Sequence, residues 1–315
     1  MPGAAALAFV VGLLVAAQGR FNGQLGHVIG DGILAAVISF STGLLIITAV
    51  VLSRPGSRHG IASRLPEQLR SGGLRWWQLL GGLGGATLVA SQGLTIPALG
   101  VALFTVLTVA GTTGSSLLVD RMGLGPGGKH PVTAIRVVAT VGTTLAVALA
   151  VSGRFSAGSM AWAAVVLTIV AGIAISFQQA INGQVAMRTG DPFVATLVNF
   201  IVGTSALVVV LVLEHTVGGY SWAPMAVLWS QPYLLLGGPM GVVFVVTAAI
   251  AVRPLGVLLF SLISIGGQLV GSLISDIFFP TPGSAVGWQL VTGVLLTGVA
   301  VTVAARAGRR PKPTS

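Results

Sequence analysis

Cysteine is absent from all 315 residues, which excludes disulfides and thiolate metal sites alike. Acid is scarce as well. Six Asp and Glu stand against sixteen Lys and Arg, and charged residues make up only 7% of the chain. A soluble domain carries roughly 25% charged residues, and so few cannot clothe a surface in water. Apolar residues take their place: 54% of the chain is hydrophobic and the mean hydropathy is +0.97. The nominal charge of +10 would suit nucleic acid, but the basic residues cluster in short stretches between apolar runs rather than along a polar face. This composition describes an all-α polytopic membrane protein whose first partner is the lipid bilayer, with no nucleic acid involved.

One stretch is used twice. Residues 18–43 read QGRFNGQLGHVIGDGILAAVISFSTG, and residues 178–203 read QQAINGQVAMRTGDPFVATLVNFIVG. Without a gap, Gln18, Asn22, Gly23, Gln24, Gly30, Asp31, Phe40 and Gly43 fall on Gln178, Asn182, Gly183, Gln184, Gly190, Asp191, Phe200 and Gly203, at a constant offset of 160. Further on the offset is 156: Gly81-Gly82 and Gly85 match Gly237-Gly238 and Gly241, and Gly111, Ser116 and Asp120 match Gly267, Ser272 and Asp276. The chain is a tandem duplication.

Ten segments are long enough to cross the hydrocarbon, which takes ~20 apolar residues. They lie near 4–26, 33–52, 74–95, 98–119, 132–153, 160–185, 193–213, 233–252, 255–277 and 287–306. The first lacks the basic n-region of a signal peptide and has a mid-chain counterpart at 160–185, so it reads as a span. Each half then holds five spans, the first repeat over 1–153 and the second over 154–306, followed by a basic tail at 307–315. Five is odd, so the second half enters the membrane upside down. That makes ten transmembrane helices in two five-helix inverted-topology repeats, the architecture of secondary transporters with a site near the midplane. Fourteen of the sixteen basic residues fall on one face, around the 53–73 loop (Arg54, Arg58, Arg64, Arg70 and Arg75), around the fourth loop, at the sixth and eighth loops (Arg188 and Arg253) and in the tail. Only Arg20 and Arg154 lie towards the other. The positive-inside rule places both termini and the 53–73 loop in the cytoplasm. A single cysteine at Ser57 is the natural labelling test. Trp76, Trp77, Trp162, Trp222, Trp229 and Trp288 fall near span ends, as interfacial anchors do.

Two five-span halves, each opening with Gln-x-x-x-Asn-Gly-Gln and then a Gly-Asp corner, resemble the drug/metabolite transporter superfamily, and more closely its YdcZ-type inner-membrane exporters in their fused, ten-helix form. The resemblance covers roughly 4–306 and implies export of a small metabolite or drug-like molecule across a bacterial inner membrane by alternating access, without a cofactor. The related small multidrug resistance proteins carry a membrane-embedded Glu in the first helix. No acid stands in the first span here, which argues against their route of cation–proton exchange.

Few polar residues are available for a pathway. Gln18 and Asn22 are four apart, hence on one helix face, and Gln178 and Asn182 repeat the arrangement. Two readings stand: paired groups lining one pathway from opposite ends, or interhelical hydrogen bonds worth ~0.6 kcal/mol each that only hold the bundle. Asn199, Gln268 and Gln92 are further cavity candidates, with Thr105, Thr108 and Thr112 behind them. Arg20, replaced by Ala180 in the second copy, either snorkels to the outer headgroups or contacts an anionic substrate group. Asp31 and Asp191 follow Gly and open new helices, so they read as N-caps. Asp120 and Asp276 end the fourth and ninth spans. The Ile96-Pro97 and Arg253-Pro254 breaks read as tight turns, and pairs such as Gly81/Gly85, Gly237/Gly241 and Gly267/Gly271 as close helix contacts.

Other classes fit less well. Gly123 to Lys129 matches the start of a phosphate-binding loop, but His130 replaces the required Ser or Thr and no strand precedes it. The four histidines fall near loops, with no His-Glu-x-x-His and no paired intramembrane aspartates, so neither an enzyme nor a metal site is expected. A channel, or a scaffold for partner helices, is the alternative to a carrier, and a homodimer is one assembly open to either.

Overall fold

The computed structural model describes residues 2–126, 128–129, 134–152, 159–218, 227–255, 257–280 and 286–307. Its long helices are α1 (Pro2–Ile29), α2 (Gly32–Ser53), α3 (Gly82–Leu99), α4 (Val101–Met122), α5 (Ala134–Ser152), α6 (Ser159–Thr189), α7 (Pro192–Gly218), α8 (Gly237–Leu255), α9 (Val257–Phe278) and α10 (Trp288–Ala307). No strand occurs among the described residues. Six stretches are long and apolar enough to cross a bilayer: Ala5–Ile29, Gly32–Ser53, Trp76–Leu99, Val101–Val119, Trp162–Thr189 and Pro192–Thr216. The remaining long helices carry shorter described apolar runs, at Thr140–Ala150, Pro232–Ala248, Ile263–Phe278 and Trp288–Ala300.

The repeated Gly-Asp corners end one helix and begin the next. Gly30 and Gly190 take φ of 78° and 70°, left-handed values that glycine adopts freely and that close a helix. Asp31 Oδ1 then accepts from the N–H groups of Ile33 (2.8 Å) and Leu34 (2.9 Å), and Asp191 Oδ1 from that of Phe193 (2.8 Å). Both aspartates are N-caps. The Pro breaks are different. Pro97 sits inside α3, and Arg253-Pro254 lie inside α8, so neither dipeptide is a turn. The chain reverses after α3 at Gly100, φ 78°, three residues beyond the proline. A proline in a final turn removes a single ladder bond, whereas the reversal itself needs the positive φ. The third span opens near its expected start, but as a 3-10 turn at Trp76–Leu79, and its α-helix begins only at Gly82.

Helix pairings come in twos. α1 packs along α9 and α4 along α6, α3 along α6 and α1 along α8, while α2 meets α7 and α5 meets α10. The closest approaches are glycine on glycine. A Cβ on Gly12 would lie 2.9 Å from Gly267 Cα, and one on Gly172 would lie 3.1 Å from Gly111 Cα and overlap Thr108 O. Gly12 and Gly172 are themselves 160 apart. At the α2–α7 contact Phe40 and Phe200 meet with ring centroids 5.0 Å apart. Each ring fills the notch left by the other helix's glycine, Phe200 against Gly43 and Phe40 against Gly203. That reciprocal fit explains the repeated Phe-x-x-Gly.

The stretch between α2 and α3 is a helical cap, with short helices at Pro55–His59 and Leu65–Arg70 joined by a π-helical turn at Gly60–Arg64. It is held to the α6–α7 corner. Ser57 Oγ donates to Asp191 Oδ2 (2.7 Å), Arg64 Nη1 donates to Thr189 O (3.0 Å), and the Arg54 guanidinium lies 4.4 Å from the Phe193 ring centroid. Ser57 is therefore buried, 2% exposed, and a thiol there would be shielded whichever side it faced. Ser71, exposed at the end of the cap, is the sound labelling position. The glycine run after α4 is a turn docked on α6, where Gln184 Nε2 donates to Gly125 O (2.9 Å) and Pro126 abuts Gly183. Gly127 and His130, like the side chains of Asp120 and Arg154, lie outside the described residues.

Candidate functional site: a carboxamide-lined cavity

α1, α2, α3, α4, α6, α7, α8 and α9 surround one cavity of about 90 Å³, room for roughly six to nine waters at ~10–15 Å³ each. Its polar lining is largely carboxamide: Gln18 from α1, Gln92 from α3, Gln178 and Gln179 from α6, Asn199 from α7 and Gln268 from α9. Phe40, Phe104, Phe200 and Phe244 supply flat apolar walls. Of the expected pathway residues, Gln18, Gln92, Gln178, Asn199 and Gln268 thus come together. Asn22 and Asn182 stand behind them.

The asparagines fix the cavity side chains. Asn22 Nδ2 donates to Gln92 Oε1 (2.7 Å) and Asn182 Nδ2 to Asn199 Oδ1 (2.8 Å). Each Gln-x-x-x-Asn face is seated on a Gly-x-x-x-Gly pair from the other end of the chain. A Cβ on Gly241 would meet Gln18 Nε2 at 3.2 Å, and one on Gly237 would run into Asn22. Likewise Gly85 faces Gln178 Oε1 at 3.1 Å, and Gly81 faces Asn182. Side chains at any of these four glycines would push the amides off their positions. The sequence displays both halves of this fit at their offsets of 160 and 156, but not that one packs on the other.

The lining's hydrogen-bonding capacity is unevenly used. Thr105, Thr108 and Thr112 donate to the carbonyls of Val101, Phe104 and Thr108, each at 2.8 Å, and Thr112 also reaches Gly172 O at 3.0 Å. Of the three, Thr112 ties α4 to α6, while Thr105 and Thr108 bond back within α4; all three line the cavity with hydroxyl oxygens that can still accept. Gln268 Nε2 makes only a long contact of 3.5 Å to Ser264 Oγ. Gln178 is 5% exposed, and its Oε1 has no hydrogen-bond partner.

Arg20 is not part of the lining. It is half-buried within Coulombic reach of Asp276 and Tyr233, an arrangement the sequence did not suggest because those residues lie more than two hundred positions away. Asp276 is buried at 2% exposure and caps a helix that is not its own: Oδ1 accepts from Val101 N–H and Oδ2 from Ala102 N–H, both at 2.8 Å. Its position at the end of the ninth expected span gave no hint of that partner.

A bundle of apolar helices around a polar-lined interior cavity defines a membrane-embedded helical protein of the transporter type. The chain belongs to the family described as "Putative inner membrane exporter, YdcZ", which matches residues 3–151 and 163–303. No curated protein matches it. Among solved structures, one described only as "Crystal structure of protein" superposes with a TM-score of 0.61 at 15% identity, covering 98% of this chain and 99% of that one. That likeness is one of fold alone.

Proposed function

We propose that the protein is a secondary transporter that moves a small molecule out across the bacterial inner membrane by alternating access. In this reading residues 1–153 and 154–306 are two five-helix halves of opposite orientation, and the cavity between them is the substrate site. The observation that carries it is the seating of each half's Gln-x-x-x-Asn face on the other half's glycine pair, with Gln18 and Gln178 meeting in one cavity. The twofold pattern of helix pairings and the family's two matched stretches support the same division. Rocking one half against the other would break one seat while the other stays closed, exposing the cavity to each side in turn. Saturable, counter-directional flux in proteoliposomes is the expected behaviour. Unsaturable flux would point to a channel instead.

Orientation follows from the basic cap and tail, which the positive-inside rule assigns to the cytoplasm. Since the chain has no cysteine, Ser71→Cys introduces a single thiol. It should resist an impermeant maleimide in intact cells and react in inside-out vesicles; rapid labelling of intact cells would reverse the orientation.

A further inference from the structure

Resting on that reading, the lining specifies a class of substrate. We propose that the cavity takes an uncharged molecule that presents a hydrogen-bond donor beside a flat apolar face. Four observations converge. First, no Asp, Glu, Lys or Arg stands among the described lining residues, so a charge brought into this space would be desolvated without a counter-ion from them, which is costly in a low-dielectric interior. Second, two charged groups that the structure does describe are engaged elsewhere: Asp276 holds two backbone N–H groups of α4, and Arg20, outside the lining, is within Coulombic reach of that carboxylate. Among the described lining residues an anion finds no cation and a cation no carboxylate.

Third, an entirely apolar occupant would leave buried polar atoms unpaired. Gln178 Oε1 already lacks a partner, and the threonine hydroxyls have given their protons to backbone carbonyls, so they can only accept. A donor on the substrate satisfies these acceptors. The amide nitrogens of Gln92 and Asn199, whose oxygens are bound to Asn22 and Asn182, remain to donate in return. Fourth, Phe40 and Phe200, tilted 40° to one another, line the same space and suit a planar ring, which prefers offset or edge-on aromatic neighbours. Amides, ureas and nucleobase-like heterocycles have this chemistry. Carboxylates, phosphates and ammonium ions do not.

Three probes of one size separate charge from shape: benzamide, benzamidinium and benzoate, titrated by calorimetry onto the full chain in nanodiscs at neutral pH. Benzamide should bind more tightly than either ion by roughly tenfold or more, the effect of one unpaired buried group. Gln178→Leu should weaken benzamide by a similar factor. Gln178→Glu should turn the preference to benzamidinium, because the new carboxylate faces the cavity. The wild-type series needs no variant to fold, and Gln18→Leu serves as the second probe of the lining. Equal or tighter binding of benzoate or benzamidinium to the wild type, or no binding of benzamide at millimolar concentration, would overturn the assignment. Anion-preferring binding alongside saturable counterflow would remove the substrate class and leave the carrier. Benzamide-selective binding without counterflow would uphold the class of ligand and remove the carrier.

Discussion

Replacing Gly172 by leucine is expected to leave no folded protein to purify. At this point α4 and α6 touch backbone to backbone: a Cβ would overlap Thr108 O and lie 3.0 Å from Thr108 C and 3.1 Å from Gly111 Cα. None of these atoms can rotate away as a side chain can. The helices must separate instead, which breaks the bonds from Thr112 Oγ1 to Gly172 O (3.0 Å) and from Ser115 Oγ to Ser176 Oγ (2.8 Å) along the same contact. Inserting methylenes into a packed interior costs ~1–3 kcal/mol even where side chains can adjust, and here four carbons enter at once. In a bilayer, where close packing rather than water exclusion holds helices together, the lost contact is not recovered elsewhere. Gly114→Ala in α4, the partner helix, is the control, since its Cβ would meet only Thr140 Cγ2, at 3.9 Å. Gel filtration in detergent and a thermal melt read both. A monodisperse Gly172→Leu peak melting with the wild type would contradict this packing.

Asp276→Ala should be the most damaging polar substitution. Both carboxylate oxygens are committed to the first N–H groups of α4, at 2.8 Å each, at a site 2% exposed. These are among the donors a helix start leaves without internal partners, and the positive end of the helix dipole favours an anion there. Alanine leaves two buried N–H groups unpaired, at ~1–3 kcal/mol each, and takes the carboxylate away from Arg20. Asp276→Asn keeps one acceptor and should fall between. Thermal melts rank the three, and amide exchange at Val101 and Ala102 should rise selectively in Asp276→Ala. Unchanged exchange there would mean that the carboxylate does not hold α4.

Local signals were legible in the sequence and contacts between distant segments were not. Gly30-Asp31 and Gly190-Asp191 could be read as helix stop and N-cap because both roles depend on neighbouring backbone. The polar stripe Gln18/Asn22 and its copy could be read as facing inward, since the bilayer leaves them nowhere else to go. What they face could not. Gly237 and Gly241 look like any small-xxx-small pair until α1 is laid on α8, and Asp276 looks interfacial until the start of α4 is placed beside it. Pro97 misled because proline marks a nearby helix end without fixing its place, which the positive φ of Gly100 sets. Gly12 and Gly172 did carry a signal: the offset of 160 extends upstream of Gln18 and reaches them, so the repeat could have marked the tightest contacts. The basic 53–73 loop read as loop because its charges mask short helices, which are held by Ser57 and Arg64 to a corner far along the chain.

One cavity should open to the two sides of the membrane by turns, and a single thiol tests it. Leu88 lines the cavity, and in a chain without cysteine Leu88→Cys is the only reactive sulfur. It should react with an impermeant reagent from either face, outside in right-side-out vesicles and inside in inverted ones. The bias should then follow the asparagines. Asn22→Ala empties the α1–α8 seat at Gly237 and should raise labelling from outside while lowering it from inside. Asn182→Ala empties the matching seat of α6 at Gly81 and should do the reverse. Opposite shifts in the two variants are the expected result; labelling that rises from both faces together, or does not change in either variant, would contradict alternating access.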